Sequence, residues 1–201
     1  DPELPSAIVN LVRISSESPA ERTRLDLVRA LAREVALDAL KRRIQRHGCG
    51  TPPVHRISAH VAPFSSSAVQ ISLAIHTEPG AWDASLASLS AELRAAHGDG
   101  FTKRELHDAK RGVLDDLEKR SRKKSTDRQA RALAGAAAMG STPRRRATRL
   151  SRARDVLSDL SAESINAIFR TSFDPDRLTT ILLLPASEPA PDPADVRSVF
   201  E

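Results

Sequence analysis

Hydrophobic and polar positions alternate along residues 68–75, where every second side chain is a large aliphatic one: Val69, Ile71, Leu73 and Ile75. A period of two places these side chains on one face of a β-strand and predicts that this face is buried. Three other short segments are predicted to be strands because they are apolar and rich in β-branched residues: 7–14, 54–62 and 178–184.

A period near 3.6 residues marks the helical segments between these strands. The longest predicted helix covers residues 22–46, with one apolar stripe of Val28, Leu31, Val35 and Ala39. A second helix is expected from Trp82, and a third after Phe101 with the stripe Leu106, Ala109, Val113 and Leu117. Thr102 and Glu105 have the spacing of a capping box for this third helix. Shorter helices are predicted over 126–139, from 143 onward, and over 161–169 with Ser161 as the cap.

The prolines indicate how the chain is organised. All 13 lie at or before position 79 or at or after position 143, so the 63 residues between them are free to be helical. Prolines at 185, 189, 191 and 193 predict an irregular tail. We therefore expect one domain over residues 1–185 and a proline-rich tail or linker over 186–201. The predicted strands come mostly early in the chain, the helices follow, and one strand returns at the end. This order predicts an α+β fold, with a mostly antiparallel sheet and helices on one face.

Composition excludes several classes of protein. The 201 residues are 40% hydrophobic and 28% charged, as in an ordinary soluble domain, and no apolar run approaches the roughly 18 residues that a membrane-spanning helix needs. The single cysteine, Cys49, cannot form an internal disulfide and lacks the partners of a catalytic thiol. Among the six histidines, at 47, 55, 60, 76, 97 and 107, no two have the i, i+4 spacing of helical zinc ligands. The sequence therefore predicts no catalytic and no metal-binding residue, and it identifies no substrate-binding residue.

Positive charge is concentrated in the middle of the chain. Residues 101–154 contain 17 basic and 6 acidic residues, including the basic runs 119–124 and 144–146. One hypothesis is therefore a stand-alone basic module that binds nucleic acid or an acidic partner through residues 103–154. With five Phe, one Trp and no Tyr, the chain lacks the aromatic platforms that single-stranded nucleic acid stacks on, so the sequence does not favour that partner.

Three segments, in this order, resemble the M16 metallopeptidases, the family of pitrilysin, insulysin and the mitochondrial processing peptidase. The first is the opening strand with the long helix LVRALAREVALDALKRRIQ. The second is GFTKRELHDAK at 100–110, which is similar to the G-F-T-x-x-E-L-x-x-A-K of the family's non-catalytic domains. The third is DLSAESIN at 159–166, which is similar to L-T-x-E-x-V-N. The resemblance implies an α+β domain of the LuxS/MPP-like metallohydrolase type.

The resemblance also implies that this domain is an inactive one. Catalytic domains of the family have an H-x-x-E-H zinc motif on the first long helix and a further Glu much later. The helix over 22–46 contains no histidine, and Asp116, near the register of the later ligand, would have no imidazoles opposite it. We expect no enzyme activity and no cofactor in this chain alone, with zinc held by a catalytic domain of a parent metalloendopeptidase.

The implied function is structural. The chain would pack against a catalytic M16 domain, in the same chain or in a homologous subunit, and contribute to a chamber that binds peptide or unfolded protein substrates. Its Arg-rich and Ala-rich composition is typical of a bacterial protein, periplasmic or cytoplasmic, with no signal visible in this sequence and no membrane span.

Overall fold

Four antiparallel strands form one sheet in the order β2-β3-β1-β4. The structure, a computed structural model, describes residues 5–47, 54–122, 126–138 and 146–200. The strands are β1 (Ala7–Ser15), β2 (Val54–Ser65), β3 (Ala68–Thr77) and β4 (Thr179–Leu183). The helices are α1 (Arg24–His47), α2 (Trp82–Asp99), α3 (Lys103–Arg122), α4 (Thr126–Ala138), α5 (Arg146–Asp159), α6 (Ala162–Ser172) and α7 (Pro193–Phe200), with a short 3-10 turn at Pro175–Arg177.

The predicted α+β fold is confirmed. All four predicted strands are present and paired antiparallel, and the core lies between one face of the sheet and the helices. In that core the odd-numbered residues of β1 and β3 meet α1, whose stripe includes Leu31 and Val35, both at most 1% exposed. The stripe predicted for α3 is also buried.

The helix starts show which polar residues set the boundaries. Thr102 and Glu105 form the predicted capping box, since Thr102 Oγ1 accepts from the Glu105 N–H and the Glu105 carboxylate accepts from the Thr102 N–H. Thr23 and Asp26 form a second box at the start of α1, with the same pair of reciprocal hydrogen bonds. These bonds to Thr23 lower the pKa of Asp26.

The expectation of an irregular proline-rich tail is wrong for its last part. Residues Pro193–Phe200 form α7 because Asp192 caps the helix, its carboxylate accepting from the Ala194 N–H at 2.7 Å. Pro193 occupies the first helical position, where a missing N–H costs nothing. The assignment of 186–201 as a tail or linker to a following domain stays a prediction.

Ser161→Ala is expected to lower the free energy of unfolding by about 1 kcal/mol. Ser161 Oγ accepts from the Ser164 N–H at 3.1 Å, and alanine would leave that first-turn donor without its partner. Urea denaturation followed by circular dichroism measures the change. Ser151→Ala, at an exposed position inside α5, is the control and is expected to change stability by less than about 0.5 kcal/mol. Equal effects of the two substitutions would contradict the capping role.

Candidate functional site

The sheet has a second face on the side away from the helical core. Even-numbered residues of β1 and β3 and odd-numbered residues of β4 point to it, and most of them lie outside the core cluster. Three large aliphatic side chains on this face are exposed: Ile14 by 53%, Ile181 by 41% and Leu183 by 45%. Toward β2 the face becomes polar, with His60 opposite Ser72, whose hydroxyl donates to Asn10 Oδ1 at 2.8 Å. We call it the open sheet face, and its apolar half forms the main exposed hydrophobic surface of the described sheet.

A second apolar surface lies on α4. This 13-residue helix is rich in alanine and leaves Leu133 54% exposed. Helices of this length are marginal in water unless an apolar face is buried by packing.

The region where the family's zinc motif would be sought lies between α1, β2 and α3. A small cavity of about 170 Å³ there is lined by Glu34 and Asp116 among other residues, and β2 borders it at Ala59, His60 and Val61, although the register of His60 directs its side chain to the open sheet face. Burial raises the pKa of the Glu34 carboxyl. Asp38, on the same wall, is ion-paired with both Lys41 and Arg42.

These residues do not fit a zinc ion. Within the described part of the chain, no group of three or more His, Cys, Asp or Glu side chains is arranged to hold a metal. His60 belongs to β2 rather than to α1, so the two imidazoles on one helical face that the motif supplies have no counterpart. The zinc that the family resemblance implies is therefore not expected at these residues.

Several arginines of the basic helices are paired with neighbouring carboxylates. Glu118 accepts from both Arg154, at 2.6 Å, and Arg122, at 3.4 Å, and the two guanidinium groups lower its pKa. Arg149 pairs with Glu21, and Arg24 pairs with Asp159. These pairs link α3, α5 and the segment that leads into α1, so part of the positive charge in 103–154 serves contacts within the domain.

Histidines, the cysteine and the basic runs were the other residues of interest in the sequence. His55, His60 and His107 are exposed, as expected for surface histidines. Cys49 and half of the basic residues in the two runs, at 123–124 and 144–145, lie outside the described residues. No helix among the described residues is long and apolar enough to cross a membrane.

A network around Glu105 positions the start of α3 against α1. Its carboxylate accepts two hydrogen bonds from Arg43, both at 2.8 Å, as well as those from Thr102, and these bonds lower the pKa of Glu105 to about 2. Arg43 also donates to the Gly100 carbonyl and lies over the Phe101 ring. Sequence reasoning found the cap but missed Arg43, whose only local signal is its place among the basic residues at the end of α1.

The connection before α3 explains why GFT stands at its start. Gly100 has φ of +79°, which favours glycine, and an added Cβ would lie 3.0 Å from the Asn166 side-chain carbon. Asn166 bonds both backbone groups of Phe101, accepting from its N–H at 2.8 Å and donating to its carbonyl at 3.2 Å. The motifs at 100–110 and 159–166 therefore belong to one structural joint.

Solved structures of M16-type peptidases have the same fold. The chain aligns over 100% of its length with the first half of the periplasmic protease PqqL from Escherichia coli, at a TM-score of 0.83, 12% identity and 44% coverage of that chain. It also aligns over 100% of its length with a predicted insulinase family protease from Yersinia pestis, at a TM-score of 0.80, 15% identity and 44% coverage of that chain. A peptidase M16 inactive domain from Pseudomonas fluorescens aligns with 94% of the chain, at a TM-score of 0.62, 13% identity and 42% coverage of its own chain.

The resemblance found in the sequence is thus confirmed at the level of the fold, which is that of M16 peptidase domains, inactive ones included. The chain spans less than half the length of the first two proteins. No family model matches the chain, and no curated protein matches its sequence.

Proposed function

We propose that this chain is a non-catalytic domain of a zinc-dependent M16-type peptidase, and that it packs against a catalytic domain to form part of a peptide-binding chamber. The observation that carries the proposal is the open sheet face. Its exposed aliphatic residues are the kind of surface that soluble proteins cover with a partner. The bacterial source, periplasmic or cytoplasmic, stays a prediction.

The partner expected on chemical grounds is a domain that supplies what this chain lacks. Peptide hydrolysis by zinc requires three protein ligands, a polarised water and a general base. The described residues offer no such group, and Glu34 alone would have no metal-bound water to deprotonate. A catalytic domain with an H-x-x-E-H motif would supply the chemistry, while this chain would supply buried contact area and one wall of the chamber.

The exposed Leu133 of α4 supports the same proposal. This side chain and the open sheet face are two apolar surfaces that the described domain leaves uncovered. The alternative, a stand-alone basic module, has less support because Arg122, Arg149 and Arg154 are engaged with carboxylates of the domain itself.

Ile181→Lys combined with Leu183→Lys is expected to weaken association with the H-x-x-E-H domain of the same protein by tenfold or more. Lysine places two charges in the apolar half of the open sheet face, where a partner would have to desolvate them. Calorimetric titration of the two separately purified domains measures the affinity.

Leu25→Lys is the matched control, because Leu25 is 55% exposed at the start of α1, away from the open sheet face, and its substitution is expected to leave the affinity unchanged. A quenched fluorogenic peptide provides a second readout: turnover is expected from the two domains together and none from this chain alone. Undiminished association of the double variant, or zinc-dependent turnover by the isolated chain, would overturn the proposal.

A further inference from the structure

The second edge of β4 is free. Thr179–Leu183 pairs with β1 along one side, and β4 is the last strand of the sheet, so no described strand lies along its other side. Alternate residues of an edge strand direct their N–H and C=O groups outward, where they are complementary to another extended backbone. Thr180 and Leu182 point toward the helical layer and are half-buried, whereas the residues between them face outward on the open sheet face.

A groove runs alongside this edge on the helical side. Its volume is about 810 Å³, within the range of sites that hold small ligands, and its walls are mainly apolar, including Leu178, Leu182, Val196 and Phe200. The outer wall is α7, which is held by α2 rather than by β4. Arg94 of α2 donates to the Phe200 carbonyl at 2.9 Å, and its guanidinium lies 5.4 Å from the centre of the Phe200 ring.

The two ends of the groove carry opposite charges. Glu188 lies beside Gly80, at the end of the sheet where β3 and β4 finish and β1 begins. From there α7 runs toward the second half of α2, so Arg197 lies nearer the end where β4 starts. Neither Glu188 nor Arg197 forms an ion pair with a described residue, and both line the groove.

We propose that this β4–α7 groove binds an extended peptide that adds antiparallel to the free edge of β4. In that direction the amino-terminal side of the peptide lies at Glu188 and favours a cationic group there, and its carboxyl side lies at Arg197 and favours an anionic group. Every second side chain enters the groove, where small aliphatic residues fit its apolar walls, while the backbone hydrogen-bonds to β4. The site requires no partner domain, and it meets the open sheet face at Leu183, which lines the groove as well.

The probe is the capped heptapeptide KVTVTVE, titrated calorimetrically into the purified chain at low ionic strength, alongside the charge-reversed peptide EVTVTVK. KVTVTVE is expected to bind roughly tenfold more tightly, since two exposed charge pairs change from attraction to repulsion. In 0.5 M salt the difference is expected to shrink because exposed charges are screened. A version of KVTVTVE with methylated backbone nitrogens is expected not to bind, because it cannot donate to β4.

Glu188→Lys combined with Arg197→Glu is expected to reverse the preference, so that EVTVTVK binds more tightly. The control pair Arg152→Glu and Asp155→Lys exchanges the same charges on α5, at exposed positions, and is expected to keep the original preference. Absence of binding by both peptides, or equal binding that the charge exchange does not move, would overturn the proposal. So would a dimer in sedimentation velocity that the peptide does not dissociate, since it would assign the edge to a second copy. Association with a catalytic domain is tested separately by Ile181→Lys alone, since Ile181 lies outside the groove lining whereas Leu183 belongs to it.

Discussion

Glu105→Ala is expected to lower the free energy of unfolding by about 3 kcal/mol. The side chains of Glu105 and Arg43 are each only 11% exposed, so removing the carboxylate leaves a guanidinium with poor access to water. The same substitution removes the hydrogen bonds that the carboxylate accepts from Thr102 at the start of α3. Urea denaturation measures the change. Glu118→Ala is the control, because its pairs with Arg122 and Arg154 are more exposed and a clearly smaller cost is expected. Equal costs for the two substitutions would contradict the larger contribution of the buried Glu105–Arg43 pair to stability.

The same carboxylate gives stability a defined pH dependence. The pKa of Glu105 is about 2 in the folded chain, whereas a glutamate free of these contacts, as in the unfolded chain, has a pKa of 4.5. Because the folded-state pKa is the lower one, the stabilisation is complete above pH 4.5 and is lost as the pH falls from 4.5 toward 2. Glu105→Gln removes this titration, so the variant is expected to show a shallower loss of stability over that interval. A profile that is parallel to that of the wild type would contradict the assignment.

Phe169→Ala is expected to destabilise the domain by about 4 kcal/mol. Phe169 is fully buried in α6, with its ring centroid 4.9 Å from that of Phe101 and 4.9 Å from that of Phe173. Alanine would open a cavity between α3, α6 and the turn that leads to β4. A loss this large is a substantial share of the stability of a domain, so Phe169→Leu serves as a milder second variant, expected to cost about 1 kcal/mol.

Phe64→Ala is the matched control, because Phe64 lies on β2 with 57% of its surface exposed. Its expected effect is within about 0.5 kcal/mol of zero. Thermal unfolding measured for the three variants provides the ranking, and a cost for Phe64→Ala equal to that for Phe169→Ala would refute the central role of the aromatic cluster.

Local patterns predicted the elements because each depends on near neighbours. The alternation of Val69, Ile71 and Leu73 fixes a strand wherever the rest of the chain lies, and Thr102 with Glu105 fixes a helix start. The helix α7 was missed because four prolines outweighed one local signal, Asp192 just before Pro193.

The candidate sites were harder to predict because they depend on how elements that are far apart in the sequence pack together. Alternation indicates that Ile181 and Leu182 point to opposite faces of the sheet, but not which of the two faces the helices cover. The contact of Glu105 with Arg43 joins residues 62 positions apart, and no spacing rule connects them. The groove beside β4 exists because α7 packs on α2, which only the three-dimensional arrangement shows.

The strand order β2-β3-β1-β4 also governs how the domain is assembled during synthesis. β1 can pair with β3 once residue 77 has been made, but its other partner begins at Thr179, roughly 100 residues later. At ribosomal rates this separation corresponds to roughly 5 to 20 s. During that interval the second edge of β1, with Val9 and Leu11 beside it, has no strand to pair with. A chaperone that shields this edge in the nascent chain would therefore act after β3 has emerged and before β4 closes the sheet.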